Sequence, residues 1–337
     1  MSHRPPNSFS RLKGAPDFKT SKPECLALII FYLVAGLILL FATFFDREVS
    51  STIMNRSSIV GWFFQNYGTR GPNIVLFVCF QTIAWVTYFA RNRGALRWVL
   101  TTFFLILAMN QLLLSLNGYF AYTLAVLLNG EVKQVANPGV SQLIWSLLIT
   151  FGLSIIFYRY IDNRTEEERQ YLLRAAVMGI ALVFVVSLII GDLKLHWGRY
   201  RPFQMDADMG RFTPWYHPNG SNGHYSFPSG HTTSGWLLLY LPFLLPRSWR
   251  TAQKYLVILT VTIAILTALS RVRYGAHWLS DVKPPVSLFF QPFFSFQGFW
   301  KLILWKTNLL TVGRFAKESH KIKNPPFQDE TSFSLNR

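Results

Sequence analysis

The feature that most constrains this chain is a series of long apolar runs, at about 25–45, 74–90, 98–116, 143–158, 175–193, 232–245 and 255–269, with a weaker eighth at 286–305. Each approaches the ~20 residues that an α-helix needs to cross a bilayer. A soluble domain has little use for so many, because such segments have no polar face to turn toward water. The charge content agrees: 15% of the residues are charged and 51% are hydrophobic, where a soluble domain carries about a quarter charged. In lipid every backbone N–H and C=O must be satisfied within the segment, which a helix does. The prediction is therefore an all-α, polytopic transmembrane helical bundle of seven or eight spanning helices. The first run follows a basic arm and is followed by no small-residue cleavage site, so it is expected to remain as an anchor.

The formal charge of +17 is distributed in a way that fits a membrane better than a nucleic acid. With the N-terminal arm in the cytoplasm, the inside segments are 91–97, 159–174, 246–254 and the tail. They carry Arg91, Arg93 and Arg97, then Arg159, Arg164, Arg169 and Arg174, then Arg247, Arg250 and Lys254, and in the tail Lys306, Arg314, Lys317, Lys321 and Lys323. Basic cytoplasmic loops are what orients a polytopic chain. This organisation predicts a cytoplasmic arm at 1–23, N-terminal membrane helices at 24–174, a catalytic membrane core at 175–305 and a polar basic tail at 306–337. No nucleic acid is expected as a partner. The two cysteines, Cys25 and Cys79, sit inside apolar runs and suggest neither a metal site nor a redox motif.

The outer segments break the pattern. They hold Lys194, Arg199, Arg201, Arg211, Arg271 and Arg273 beside the ends of membrane helices. Such charge is costly unless it has a partner, and the natural partner of clustered cations is an anion. Three stretches concentrate the chemistry. Lys194 and Arg201-Pro202 lie seven apart, on one face if the helix continues. Pro228-Ser229-Gly230-His231 opens a helix, where free backbone N–H groups can bind an anion. Ser270-Arg271 is followed by His277 and, four residues on, Asp281, a spacing that places a carboxylate beside an imidazole on a helix. Lys194, Arg201, Arg271 and the amides of Ser229 and Gly230 suit the oxygens of a phosphate, whose transfer depends on positioning and charge stabilisation. Two histidines can divide into nucleophile and acid. The residues alone do not say which attacks, although the carboxylate beside His277 favours it.

K-x6-R-P, P-S-G-H and S-R-x5-H-x3-D in this order resemble the signature motifs of the type 2 phosphatidic acid phosphatase superfamily, and each defining position is matched between Lys194 and Asp281. The lead-in Gly223-His224-Tyr225-Ser226-Phe227 is similar too. The resemblance implies a membrane lipid phosphatase acting on a phosphomonoester or pyrophosphate, with a polyprenyl pyrophosphate, phosphatidylglycerol phosphate, phosphatidic acid or a lipid A phosphate as candidate substrate. It implies that His277 is the nucleophile, that Asp281 orients it, and that His231 protonates the leaving group and then activates water. Lys194, Arg201, Arg271, Ser229 and Gly230 would bind phosphate. No cofactor or metal is implied. Arg199 and Arg273 are expected as contacts to the substrate headgroup, and Trp197, Trp215 and Trp278 as anchors at the membrane interface. Rival readings are a lipid phosphotransferase using the same residues and a non-enzymatic membrane protein with a decayed site. The chain departs from the family after Asp281, where Val282-Lys283-Pro284-Pro285 must break a helix.

The charge pattern places the motifs outside the cytoplasm, at the cell membrane. Cysteines introduced at Asn222 and Ala252 test this with an impermeant thiol reagent on intact cells. Labelling is expected at position 222 only, and labelling at 252 only reverses the topology.

Overall fold

The computed structural model describes residues 22–90, 94–116, 140–206, 208–246 and 248–282. All fall in the first of two units of the chain, Met1–Gln291 and Pro292–Arg337. The arm at 1–21, the run at 286–305, the prolines after Asp281 and the tail lie outside the described residues. Within them every regular element is helical: α1 (Lys22–Ile53), α2 (Ile59–Tyr67), α3 (Gly71–Tyr88), α4 (Gly94–Leu116), α5 (Val140–Asp162), α6 (Glu166–Trp197), α7 (Gly230–Leu237) and α8 (Arg250–Arg273), with short 3-10 turns at Pro202–Gln204 and Leu238–Leu244.

Five segments among the described residues are long and apolar enough to cross a membrane: Gly71–Tyr88, Gly94–Leu116, Leu143–Asp162, Glu166–Gln204 and Arg250–Arg273. Helix α1 covers the first expected run. The run at 232–245 behaves differently. It starts as the eight-residue α7 and tightens into 3-10 turns around Pro242, because proline lacks the N–H that would continue the α-helix. Leu237, Leu238, Tyr240 and Leu244 are buried along it, so this broken segment is packed within protein, the setting in which irregular backbone is tolerated at membrane depth.

Helix α3 is the central element, with Val75, Phe77, Cys79, Gln81, Ile83 and Ala84 buried around its circumference. The outer helices instead expose large apolar side chains, among them Phe151, Leu188, Ile258 and Leu259. An apolar surface of this extent needs a non-aqueous neighbour, and the protein is a membrane protein. Where helices approach closely the contacts are small or hydrogen-bonded. Gly179 faces Tyr240 and Cys79, Gln81 Nε2 donates to Ser154 Oγ at 2.7 Å, and Tyr240 O–H donates to the Ala175 carbonyl at 2.6 Å. Small residues and interhelical hydrogen bonds hold helices together in lipid, where the hydrophobic effect no longer acts between them.

The helices alternate in direction and leave two chemically distinct ends. At one, Thr165 caps α6 reciprocally with Glu168, Arg169 donates to the Ile161 and Asp162 carbonyls, and Arg164 lies over Trp249. This end carries the basic loop 159–174. The end of α1, the start of α7 and the ends of α6 and α8 gather at the other, so the motifs and the basic loop occupy opposite ends of the bundle. The close contact at Gly179 yields a prediction. A Cβ there would sit 2.6 Å from the Tyr240 ring and 2.7 Å from Cys79 Sγ, whereas one at Gly152 meets nothing within 4 Å. In detergent, Gly179→Ala is expected to lower the melting temperature, by an overpacking cost of about 1–3 kcal/mol. Gly152→Ala, which replaces a poor helix former, is expected to keep or raise it.

Candidate active site

The first stretch does not continue as a helix. α6 ends at Trp197, and Gly198 takes the left-handed conformation at φ 49°, its N–H bonded to the Lys194 carbonyl. A Cβ at Gly198 would lie 2.0 Å from the Gly220 carbonyl oxygen, so both the turn and the loop packed on it require glycine. The helix does not resume, and Arg201 is extended at φ −87° and ψ 152°. The three stretches are stitched together by backbone. Ser226 N–H donates to the Arg199 carbonyl at 2.9 Å, Ser229 N–H to the Asp281 carbonyl at 3.0 Å and Phe203 N–H to the Gly275 carbonyl at 3.0 Å. Trp278 Nε1 donates to the Tyr200 carbonyl at 2.7 Å.

The arrangement brings Lys194, Arg201 and Arg271 within electrostatic range of one another. Lys194 Nζ lies over Gly230, 3.4 Å from where a Cβ would be. Arg271 has no exposed surface, and its Nε, Nη1 and Nη2 have no hydrogen-bond partner. Ser229 Oγ caps α7 by accepting from Thr232 N–H at 3.3 Å. Its own N–H is committed to Asp281, so the amide expected to bind an anion at position 229 is already satisfied. The N–H groups of Gly230 and His231, the first two residues of α7, have the orientation to act in its place, since those of Thr232 and Thr233 bond to Ser229.

His277 lies in a turn after α8, not on a helix. Its Nδ1–H donates to the Ser226 carbonyl at 2.7 Å, with Asp281 Oδ2 3.7 Å from Nδ1. The carbonyl fixes the tautomer and leaves the Nε2 lone pair free, while the carboxylate acts through space. Asp281 reaches this position because its Oδ2 accepts from Trp278 N–H at 2.9 Å and from Ser226 Oγ. Burial pushes the His277 imidazole down. Asp281 opposes this and Arg271 and Lys194 add to it, so the group sits at about 4. Burial by itself would raise Asp281, but Arg199 foremost, then His277 and Ser226, bring it to about 2. At neutral pH the pair is a neutral imidazole beside a carboxylate.

His231 is the second residue of α7, its ring centroid 6.5 Å from that of His277. Its Nε2–H donates to the Gln65 carbonyl of α2 at 3.1 Å. Burial, then Arg271, with His277 and Lys194 adding, lowers it to about 3. A bound anion would offset the share of this shift that comes from the neighbouring cations, though not the larger share that comes from burial.

The two expected headgroup contacts differ in their surroundings. Arg199 is fully buried. Its Nε donates to the Thr213 carbonyl at 2.8 Å, Nη1 to Ser280 Oγ and Asp281 Oδ1 at 2.7 and 2.6 Å, and Nη2 to Asp46 Oδ2 at 3.0 Å. It cannot reach a substrate. Arg273 is exposed, but its Nη1 donates to the Ile53 carbonyl at 2.8 Å and ties α8 to α1. The tryptophans also differ from interface anchors: Trp278 is fully buried, Trp197 Nε1 donates to the Trp215 carbonyl, and Trp215 Nε1 donates to Thr43 Oγ1 at 2.9 Å. Asp46, Gln65 and Ser280 match no defining motif position, and Ser226 was marked only as part of the lead-in to the second stretch. The only hints were an acidic residue at the edge of the first apolar run and a serine before the second stretch. Among the described residues no group of three His, Cys, Asp or Glu side chains converges as a metal site.

Residues 172–284 match the PAP2 superfamily model. The chain is 40% identical over 110 residues to a lipid A 4'-phosphatase of Rhizobium etli, covering 31% of this chain and 41% of the relative. It is 28% identical over 182 residues to a phosphatidylglycerophosphatase B of Bacillus subtilis, covering 51% and 75%. It is 32% identical over 115 residues to an undecaprenyl-diphosphatase of Sulfolobus acidocaldarius, covering 32% and 48%. The match thus spans less than half the length of the lipid A phosphatase. No solved structure matches. The three motifs thus fold into one cluster of cations and histidines within residues 172–284, the stretch that matches the PAP2 superfamily.

Proposed function

We propose that this protein is a membrane phosphatase that hydrolyses a phosphomonoester or pyrophosphate of a lipid, on the extracytoplasmic side of the cell membrane. The observation that carries the proposal is Arg271, buried with all three guanidinium nitrogens unpaired beside Lys194 and Arg201. An unpaired buried cation costs several kcal/mol, and a phosphate is the group that would satisfy it. Arginine's planar fork presents donors to two phosphate oxygens together, and Lys194 and the first turn of α7 supply the rest.

The chemistry follows from the two imidazoles. The free Nε2 of His277 attacks phosphorus, forming an N–P bond as the P–O bond to the leaving group breaks. The leaving oxygen takes a proton from His231. Water then attacks the phosphohistidine, giving its proton to His231, and the N–P bond breaks to release phosphate. Lys194, Arg201 and Arg271 hold the equatorial oxygens of both transition states. The names of the relatives suggest lipid A phosphates, phosphatidylglycerol phosphate and undecaprenyl diphosphate as the substrates to try. The apolar outer surface of the bundle fits a substrate that arrives through the membrane.

The direct test is phosphate release by purified full-length protein from a panel of lipid phosphates. Because lysine and arginine provide the positive charge, release is expected to persist in EDTA. Vanadate is expected to inhibit, since it adopts the five-coordinate shape of the transition state. Activity that disappears on chelation and returns with magnesium contradicts the proposal.

The histidines separate by leaving group. His277→Ala is expected to abolish the phosphoenzyme with every substrate. His231→Ala loses general acid catalysis, typically worth ~100–10,000-fold, and is expected to lose least on an activated aryl phosphate. Label trapped after rapid mixing at alkaline pH in His277→Ala but not in His231→Ala would exchange the two roles.

A further inference from the structure

The matched region begins at residue 172, yet the hydrogen bonds around Asp281 do not close within it. Arg199 has two acidic partners. Its Nη1 is 2.6 Å from Asp281 Oδ1 and its Nη2 is 3.0 Å from Asp46 Oδ2. Asp46 belongs to α1 and is 2% exposed, with Arg199 at 0% and Asp281 at 1%. Ser280 closes the ring: its N–H donates to Asp46 Oδ1 at 2.9 Å, and its Oγ bridges Asp46 Oδ2 and Arg199 Nη1. Both oxygens of Asp46 are therefore used, and both are directed at groups that hold Asp281.

We propose that Asp46 is a positioning residue for the phosphatase reaction, acting through Arg199 and Ser280 on the Asp281 that serves His277. The inference rests on the phosphatase reading above. Two physical effects give Asp46 this role. Geometrically, a guanidinium pinned by one carboxylate presents its other edge to the second in a fixed orientation. Electrostatically, Asp46 takes up part of the charge of Arg199, which would otherwise bear on Asp281 alone and weaken its support of an imidazole that gains positive character on attack. The first helix is thereby part of the catalytic centre, as the element that holds the carboxylate in place.

The test uses full-length protein in detergent and the lipid phosphate on which the wild type is most active. Asp46→Asn keeps the size of the side chain and removes its charge. It is expected to lower kcat about 10–100-fold, the usual effect of losing a second-layer partner. KM and vanadate inhibition should change by less than about threefold, because Lys194, Arg201 and Arg271 are untouched. Thr43→Val breaks the Trp215 contact on the same helix without touching the charge chain, and is expected to keep wild-type kcat. A purely structural role for Asp46 would lower the fraction of active sites, counted by vanadate binding, with kcat per site unchanged.

If Asp46→Asn does not fold, Ser280→Ala removes one bond from each partner without stranding a charge, and the same fall in kcat at constant KM is expected on a smaller scale. Wild-type kcat in the variant that folds overturns the inference. So does a parallel loss of vanadate binding, or an equal loss in Thr43→Val. A wild-type protein that releases no phosphate overturns the phosphatase reading and this inference with it. Wild-type release with an unimpaired Asp46→Asn overturns this inference alone.

Discussion

The buried guanidinium of Arg199 is the point on which the motif-bearing end of the bundle depends. It joins α1 through Asp46, the loop before the second stretch through the Thr213 carbonyl, and the turn after α8 through Ser280 and Asp281. Three charges without solvent exposure are tolerable only if each is answered. Removing one partner from such a group typically costs about 3–5 kcal/mol, because an uncompensated charge stays behind. The group thus has few alternative arrangements, and the backbone that carries it is fixed with it. Asp281 is held there, and through Ser226 and the turn at Trp278 so is the imidazole of His277.

The site pairs this satisfied cluster with an unsatisfied one. Arg199 and Arg271 are both fully buried, but the first has every edge occupied and the second has none. Their difference separates a cation that belongs to the scaffold from one directed at a ligand. Preorganisation has this form: under the proposed phosphatase reaction, the charges that would meet phosphate are assembled during folding, so little reorganisation would remain when charge develops on the transferring group. The cost of holding Lys194, Arg201 and Arg271 together is borne by the rest of the bundle, including the backbone bonds between the three stretches and the helix packing around α3.

The membrane setting explains why the scaffold is built this way. With lipid on the outside, the strongest available constraints are hydrogen bonds and close contacts among small residues. Gln81 with Ser154 and Gly179 against Tyr240 serve the middle of the bundle, and Trp215 with Thr43 serves the end that carries the motifs. The break at Pro242 is harmless because the segment is surrounded by protein.

Much of this was legible in the sequence. Periods of apolar residue long enough to span a bilayer specify helices whatever their neighbours, and clustered arginines at membrane helix ends announce an anion. The spacing of Lys194, Arg201, His231, Arg271, His277 and Asp281 identified the residues that converge. Sequence could not decide which partner each charge meets. Arg199 and Arg201 are two residues apart and chemically identical, yet one is sealed between Asp46 and Asp281 and the other lies beside Lys194 and Arg271. Asp46 lies 153 positions from Arg199, and no local pattern links them. His277 and Asp281 have helical spacing but meet through a turn, with a carbonyl from residue 226 taking the proton that spacing would have assigned to the carboxylate. Local pattern determined which groups exist and on which end they gather; only the packing of distant segments decided which charges are answered within the protein and which are left for the substrate.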